Sequence, residues 1–241
     1  MAIAFTFPGQ GSQHIGMGKA LSEAYPVARD VFQEADDALG QNLSAIMWEG
    51  ELEELTLTEN TQPALLTTSI AAVRVLKELG LDISKKVKYA AGHSLGEYTA
   101  LAAVEAISLA DAVRLVKTRG EAMQKAVPVG EGAMAALLGL DYDDVAAIAS
   151  EASNGEVCQV ANDNSPGQVV ISGALAAVER AIELSKERGA KRAVKLPVSA
   201  PFHCTLMAPV ADVMGVALAE TEIRSPVIPV VPNVTAEPGD Y

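Results

Sequence analysis

Residues 92–96 read Gly-His-Ser-Leu-Gly, the pattern G-x-S-x-G, which could make Ser94 a nucleophile. In such a motif a sharp strand-to-helix turn pushes the serine Oγ outward, and the two glycines remove side chains that would collide with neighbouring backbone. An apolar run precedes the motif and a helical run follows it. The alternative is that Ser94 is an ordinary helix N-cap. The context favours the nucleophile.

A serine hydroxyl needs a base within hydrogen-bonding reach, and the chain offers three histidines. His93 adjoins Ser94, and a tight turn points neighbouring side chains apart, so we exclude it. His14 lies in the glycine-rich GQGSQHIGMG, whereas His203 lies in SAPFHCTLMAP, after the inserted domain predicted below. Chain order favours His203 as the base, although a lone histidine is more often a surface residue or a satisfied core residue.

The glycine-rich loop FPGQGSQ follows the first predicted strand. Such a loop could cradle phosphate, but this one lacks the Lys-Ser/Thr pair of a P-loop and the full G-x-G-x-x-G spacing. In a protein with a nucleophilic serine of this kind, an early strand-helix loop supplies one backbone N–H of an oxyanion hole. The residue after the serine, here Leu95, supplies the other. An oxyanion hole therefore accounts for both the glycine-rich loop and the serine motif.

The elements that must position these residues can be predicted from periodicity and from turn signals. Short apolar runs predict strands at 3–7 and 87–91, and helical periodicity follows in VARDVFQEADDAL. A helix is predicted over about 62–79, with Pro63 in its first turn and Gly80 after its end. The sequence SLAD, from Ser108, predicts a capping box and a helix that reaches about residue 126.

The segment 133–196 has a different pattern. Strands are predicted at 133–140, 157–161, 168–172 and 190–196, and helices at 141–153 and 175–188. The residues NDNSPG are predicted to join the two middle strands. The order β-α-β-β-α-β indicates a ferredoxin-like unit. We therefore expect an α/β protein in which an inserted ferredoxin-like domain, 128–197, interrupts a larger α/β domain formed by 1–127 and 198–241.

Composition and charge exclude several classes of function. A formal net charge of −13 argues against nucleic acid, which needs clustered lysine and arginine. No apolar run approaches the roughly 18 residues of a membrane helix, and the N-terminus has no cationic signal region. The three histidines and two cysteines form no metal-ligand cluster in the sequence. The cysteines, Cys158 and Cys204, are far apart and fit two free thiols in a reducing cytoplasm. We expect a cytoplasmic protein without metal or cofactor, and a monomer.

Five segments together resemble one family. FPGQGSQ, GHSLGEY, KTRGEAMQ, ANDNSPGQVVISG and LPVSAPFHC occur in the order and spacing of the malonyl-CoA:acyl carrier protein transacylases, and the resemblance covers residues 3–234. It implies a hydrolase-like large domain with a parallel sheet and a nucleophile elbow, plus the ferredoxin-like domain. The implied reaction moves a malonyl group from malonyl-CoA to acyl carrier protein in fatty acid biosynthesis, without a cofactor. The start at a first strand is typical of the free-standing bacterial type.

The resemblance also implies roles for individual residues. Ser94 resembles the acylated nucleophile, His203 its general base, and the backbone amides of Gln10 and Leu95 the oxyanion hole. Arg119, in KTRGEAM, is similar to the arginine that binds the malonyl carboxylate. A guanidinium binds a carboxylate through two parallel hydrogen bonds, which a lysine cannot reproduce.

Three further residues are identified by the resemblance alone. Phe202 is similar to the residue that favours malonyl over branched acyl units. Asn162 and Asn164 resemble residues of the small domain that line the cleft. Family members usually continue beyond the position of Tyr241, in a part whose backbone carbonyl orients the histidine. We therefore interpret the chain as C-terminally short, truncated or cleaved, and name no group that orients His203.

Two other functions stay open from the sequence. A serine hydrolase, such as a thioesterase, would use the order Ser…Asp…His, which Ser94, Asp163 and His203 satisfy. However, Asp163 is predicted to lie in the NDN turn, where turn chemistry is the better explanation. A catalytically silent module that binds carrier protein or acyl-CoA is the other alternative.

Overall fold

The computed structural model of the chain describes residues 3–128, 130–198 and 200–238. Two compact units divide the chain: the first comprises the described residues up to Gly120 and from Val216 onward, and the second is Glu121–Gly215. The predicted domain bounds, 1–127 with 198–241 and 128–197, stay a prediction. Ser199 of the LPVSAPFHC segment also lies outside them.

The described chain contains both strands and helices, and six helices separate its first two strands. The strands are β1 (Ile3–Phe7), β2 (Val87–Gly92), β3 (Gly132–Leu138), β4 (Cys158–Ser165), β5 (Gln168–Ala174), β6 (Arg192–Lys195) and β7 (Val230–Val231). The helices are α1 (Lys19–Ala24), α2 (Pro26–Leu39), α3 (Leu43–Glu49), α4 (Leu52–Thr56), α5 (Thr58–Glu78), α6 (Ile83–Lys86), α7 (Leu95–Ala103), α8 (Leu109–Ala126), α9 (Tyr142–Ser153), α10 (Leu175–Glu187) and α11 (Ala208–Ala219), with a 3₁₀ helix at Thr205–Met207. Of the helices described, none combines the length and apolar character needed to cross a membrane.

The sheet of the first unit is parallel. Its strand order is β1-β2-β7, and β2 pairs in parallel with both neighbours. Phe7, Val87, Ala90 and Val230 are buried along it, as expected for strands of a parallel sheet, which read as short apolar runs. The predicted α/β class with a parallel sheet is confirmed. Because β2 is central, its C-terminal end brings residues 92–96 to the middle of the sheet edge, where ligands bind in open α/β sheets.

Helix α5 begins earlier than predicted. It starts at Thr58 rather than near residue 62, so Pro63 lies inside it and removes one intrahelical hydrogen bond. Asn60 Nδ2 and Thr61 Oγ1 each donate to a backbone carbonyl of α4, at 3.0 and 2.6 Å. These tertiary bonds hold the first turn, and the proline alone did not reveal them. The predicted end is confirmed, since Gly80 has a φ of 95° just after the helix.

Helix α8, which carries Arg119, has the predicted start. The backbone N–H of Asp111 donates to Ser108 Oγ at 3.0 Å. The Ser108 hydroxyl in turn donates to Asp111 Oδ2 at 2.7 Å. The pair satisfies a backbone donor in the first turn of the helix, as expected for a capping serine with an acidic partner three residues on.

The second unit contains an antiparallel sheet in the order β4-β5-β3-β6. Its elements follow the predicted sequence of strands and helices, with α9 between β3 and β4 and α10 between β5 and β6. The turn predicted at NDNSPG is wrong in extent, because β4 continues to Ser165 and its residues pair with β5 through two irregularities. Backbone pairing overrides the turn preference of Asn and Asp, and only Pro166 and Gly167 remain between the strands.

Candidate active site

Ser94 lies in an abrupt turn between a strand and a helix. Strand β2 ends at Gly92 and α7 begins at Leu95, so only His93 and Ser94 separate them. Ser94 has a φ of 52° and a ψ of −107°, a backbone conformation that costs energy for a residue with a Cβ. Its side chain makes no capping hydrogen bond to the helix, so the alternative of an ordinary N-cap is wrong. The strand-turn-helix context predicted for the motif is confirmed.

Both glycines of the motif are required by close backbone approach. A Cβ on Gly92 would overlap the carbonyl group of Gly96. A Cβ on Gly96 would lie 2.5 Å from the carbonyl oxygen of Phe7 in β1. That same oxygen accepts a hydrogen bond from the backbone N–H of His93 at 3.0 Å. The glycines therefore let α7 start directly against the end of β1.

Gly96→Ala is expected to destabilise the first unit. The added methyl group must displace the backbone of Phe7, and such overpacking costs about 1–3 kcal/mol. Chemical denaturation of the variant and of the unmodified chain measures the difference in free energy of unfolding. Gly215→Ala is the matched control, since an added Cβ in α11 meets no atom within 4 Å and alanine is the better helix former by about 1 kcal/mol. Equal stability of Gly96→Ala and the unmodified chain would contradict the close approach.

Arg119 contacts the serine directly. Its Nη2 donates to Ser94 Oγ at 3.0 Å, and its Nη1 donates to Gln62 Oε1 at 2.8 Å. The guanidinium carbon lies 5.8 Å from the ring centroid of Tyr98, a cation–π distance. A guanidinium can only donate, so the hydroxyl hydrogen of Ser94 is directed to another acceptor. The structure thus brings together two residues that the sequence separates by 25 positions.

The electrostatics beside Ser94 favour an anionic group. Burial lowers the pKa of Arg119, while the neighbouring Tyr98 and Glu97 act to raise it, and an arginine stays protonated in proteins. Burial also raises the pKa of Tyr98, which Arg119 partly offsets, so the phenol is neutral at pH 7. A desolvated cation beside the nucleophile interacts strongly with a carboxylate, which favours an acyl group that carries one.

Asn233 holds the turn from the other side and was not predicted. Its Oδ1 accepts from the backbone N–H of Ser94 at 3.0 Å, and its Nδ2 donates to the Gly92 carbonyl at 2.7 Å. Both its Nδ2 and its backbone N–H donate to Glu97 Oε2, at 2.6 and 2.9 Å. These bonds fix the strained backbone of Ser94. The sequence signal for Asn233 is its position two residues after the apolar run IPVV, which does not reveal its partners.

The glycine-rich loop is held against the same turn. A Cβ added at Gly9 would lie 2.5 Å from His93 Nδ1, so the imidazole ring packs closely against the loop. The side chain of Gln10 is fixed by Thr58, whose Oγ1 donates to Gln10 Oε1 at 2.9 Å. Leu95 is buried as the first residue of α7. The two residues predicted to supply backbone amides therefore belong to segments that hydrogen bonds and close packing attach to the turn at Ser94.

His203 lies in the second unit, in a tight turn of its own. It has a φ of 60°, and Phe202 before it is buried. Cys204 Sγ donates to the Pro201 carbonyl at 3.2 Å, and the backbone N–H of Thr205 donates to a glutamine side chain of β4 at 2.8 Å. A non-glycine residue at positive φ often marks a functional site. Glu105, Asn154 and Ala236 share this feature, so it supports a role for His203 without defining one.

The other predicted residues of the second unit lie on β4. Asn162 is half-buried and pairs with Val170, while Asp163 and Asn164 are exposed. Asp163 pairs with Val169 in the ladder and does not lie in a turn. Of the residues proposed from the sequence, the structure of the first unit brings together Ser94 and Arg119 and fixes the loop of Gln10 beside them. The roles of the residues in the second unit stay predictions.

Comparison with known proteins identifies the class. A sequence profile described as "Acyl transferase domain" matches residues 4–239. The chain is 52% identical over 236 residues to the malonyl CoA-acyl carrier protein transacylase of Bacillus subtilis, covering 98% of this chain and 73% of that protein. It is similar to the crystal structure of the acyl-carrier-protein-S-malonyltransferase from Bartonella henselae, with a TM-score of 0.97, 55% identity, and coverage of 100% of this chain and 77% of that one.

A third comparison concerns a complex. A structure described as a type II PKS acyl-carrier protein in complex with its malonyl-transacylase has a TM-score of 0.94 and 47% identity, covering 99% of this chain and 76% of that one. The fold is thus that of an acyltransferase domain. The chain belongs to the acyl transferase family, and within it to the malonyl CoA-acyl carrier protein transacylases.

Proposed function

We propose that the chain transfers a malonyl group from malonyl-CoA to the phosphopantetheine thiol of acyl carrier protein, as a step of fatty acid biosynthesis. It is an acyltransferase, and Ser94 carries the acyl group between the two thiols. One observation carries the proposal: the Arg119 guanidinium donates to Ser94 Oγ at 3.0 Å. In a malonyl ester of that oxygen, a single methylene group separates the ester carbonyl from the carboxylate, which keeps the negative charge within reach of the guanidinium. A neutral acyl group has no charge to bind there.

In the proposed first half-reaction, His203 takes the hydroxyl proton as Ser94 Oγ attacks the thioester carbonyl of malonyl-CoA. The tetrahedral oxyanion is bound by the backbone N–H groups of Gln10 and Leu95. The carbon–sulfur bond then breaks, and His203 returns the proton to the sulfur of CoA. Malonyl-Ser94 remains, with its carboxylate on Arg119.

The second half-reaction reverses these steps with a different thiol. The pantetheine sulfur gives its proton to His203 and attacks the ester of malonyl-Ser94. The bond between Oγ and the carbonyl carbon breaks, and His203 returns the proton to Ser94. Covalent catalysis of this kind has ping-pong kinetics. Acyl carrier protein is the proposed thiol carrier, supported by the relative that is described in complex with such a protein.

The remaining assignments rest on the family motifs. We propose that Phe202, which is buried, limits the space for branched acyl groups, and that Asn162 and Asn164 line the substrate cleft. A cytoplasmic location and a monomeric state are also part of the proposal. Cys158 and Cys204 are both buried thiols, in keeping with a reducing compartment.

We further propose a description of the two units. The first is hydrolase-like, with a parallel sheet and a nucleophile elbow at the end of its central strand. The second is ferredoxin-like, supported by its β-α-β-β-α-β order and by the strand order β4-β5-β3-β6. In this proposal the small domain, 128–197, is inserted into a large domain formed by 1–127 and 198–241.

Dependence on a thiol distinguishes the transferase from a serine hydrolase. With malonyl-CoA and pantetheine, we expect malonyl-pantetheine to accumulate, because the acyl-serine is transferred to the thiol. Without the thiol, we expect one malonyl group to be retained per chain and malonate release to stay near background. Chromatography of the acyl products measures both, with Ser94→Ala as the blank. Malonate release at the full rate without thiol would indicate a hydrolase, whose Asp163 the structure places in an exposed strand position.

A further inference from the structure

A chain of buried polar side chains runs through the first unit behind the serine. Thr58 Oγ1 donates to Gln10 Oε1 at 2.9 Å and accepts from Gln62 Nε2 at 3.0 Å. Gln62 Oε1 then accepts from Arg119 Nη1 at 2.8 Å. Thr58 and Gln62 are 0% and 1% exposed. Buried polar groups at this depth are costly unless they are hydrogen-bonded, so the partners in this chain determine one another's positions.

The direction of every hydrogen bond in this chain follows from Arg119. A guanidinium has no acceptor, so the amide oxygen of Gln62 must face it, and the amide nitrogen must face Thr58. The Thr58 oxygen therefore accepts from Gln62, and its single hydrogen is directed to Gln10. Only an oxygen of Gln10 can receive that hydrogen, which fixes the orientation of the Gln10 amide. The single hydroxyl of Thr58 thus connects the two ends of the site.

Backbone packing brings Thr58 and Arg119 together independently of these bonds. Gly120 follows Arg119 on α8, and a Cβ at Gly120 would lie 2.6 Å from the Cα of Glu59 and 2.7 Å from the carbonyl oxygen of Thr58. Helix α8 therefore touches the first turn of α5 at the position of the arginine. This contact is a second restraint on the first turn of α5, whose start at Thr58 the sequence pattern did not predict.

We propose that Thr58 is a positioning residue that couples the two functions of the site. Through Gln62 it orients the guanidinium of Arg119 toward the acyl carboxylate. Through Gln10 it fixes the loop whose backbone amide binds the oxyanion. This inference rests on the proposed malonyl transfer. It adds that acyl selection and oxyanion binding depend on one buried hydroxyl that touches neither substrate nor serine.

Thr58→Val tests the proposal because valine keeps the shape and removes the hydroxyl. We expect kcat/KM for malonyl-CoA to fall by about 10- to 100-fold, since two buried partners lose their hydrogen bonds. The kcat/KM for acetyl-CoA, which has no carboxylate for Arg119, should fall less, because only the contribution of the Gln10 loop is lost. The selectivity ratio, kcat/KM for malonyl-CoA divided by kcat/KM for acetyl-CoA, should therefore fall. Thr58→Ser should restore it.

The matched control is Thr67→Val in the same helix. Thr67 is also 0% exposed, but its hydroxyl donates to the Pro63 carbonyl at 2.7 Å, outside this chain of bonds. We expect Thr67→Val to keep the selectivity ratio at a similar loss of stability. An unchanged ratio in folded Thr58→Val, or the same fall in Thr67→Val, would overturn the positioning role.

A second variant keeps the test valid if Thr58→Val does not fold. Gln62→Met removes the link to Arg119 and keeps the hydrogen bond from Thr58 to Gln10, so malonyl transfer should fall while acetyl transfer changes little. If Gln62→Met changed neither malonyl nor acetyl transfer, or reduced both equally, the proposal would be overturned. Absence of malonyl transfer by the unmodified chain would instead reject the proposed function, so the two failures are distinguishable.

Discussion

Ser94→Ala is expected to abolish formation of the acyl-enzyme and to reduce malonyl transfer by at least about 10⁴-fold, the scale seen when a covalent nucleophile is removed. The turn at Ser94 presents Oγ to Arg119 at 3.0 Å, and no other residue of 92–96 carries a hydroxyl group. Intact-mass spectrometry after brief exposure to malonyl-CoA should show one malonyl group on the unmodified chain and none on the variant.

Ser84→Ala provides the control for this experiment. Ser84 is exposed and its hydroxyl donates to Asp82 Oδ1 at 2.7 Å, away from the site, so its variant should be acylated like the unmodified chain. A malonyl group that persists in Ser94→Ala would assign the nucleophile elsewhere. An unmodified chain that binds malonyl-CoA but never gains a malonyl group would support the alternative of a binding module.

Arg119→Lys is expected to lower kcat/KM for malonyl-CoA by about 10²- to 10³-fold, although the positive charge is kept. Each hydrogen bond to a charged group contributes about 1.5–3 kcal/mol, and the lysine cannot reproduce the planar fork that reaches Gln62 and Ser94 at once. Acetyl-CoA should be affected much less, because its acyl group has no carboxylate. Steady-state kinetics with both thioesters measure the change in selectivity.

Arg114→Lys is the matched control on the same helix. Arg114 is exposed, and its Nε donates to the Ala38 carbonyl at 3.0 Å, so its replacement should leave the kinetics unchanged. If Arg119→Lys reduced activity with both thioesters equally, Arg119 would be a structural residue and the acyl group would need another carboxylate-binding group.

The elements of the fold could largely be predicted, because they depend on local signals. The apolar run at Ile3–Phe7 and the pair Ser108 and Asp111 gave a strand and a helix start that the structure confirms. The errors lie where tertiary bonds decide. The first turn of α5 is held by carbonyls of α4, and the polar end of β4 is held by its pairing with β5. Neither partner can be found in a window of neighbouring residues.

The candidate site divides in the same way. Ser94 could be predicted from its motif, since the glycines that make the turn are adjacent in sequence. Arg119 was suggested only by the family resemblance, because on periodicity alone it is one more charge on a helix. Thr58, Gln62 and Asn233 were missed, since each acts through partners on other elements. Their polar side chains show a role only once their burial and bonds are known.

The hydrogen bonds of Asn233 bear on when the site forms during folding. Asn233 lies 139 positions after Ser94, and it reaches the turn only when β7 has paired with β2. Contacts of such long sequence separation form late, because a large loop must close before they contribute. A chain emerging from the ribosome can pair β1 with β2 well before this contact exists. We therefore expect the backbone conformation of the serine to be completed late in folding, so that its chemistry begins only after the sheet around it has assembled.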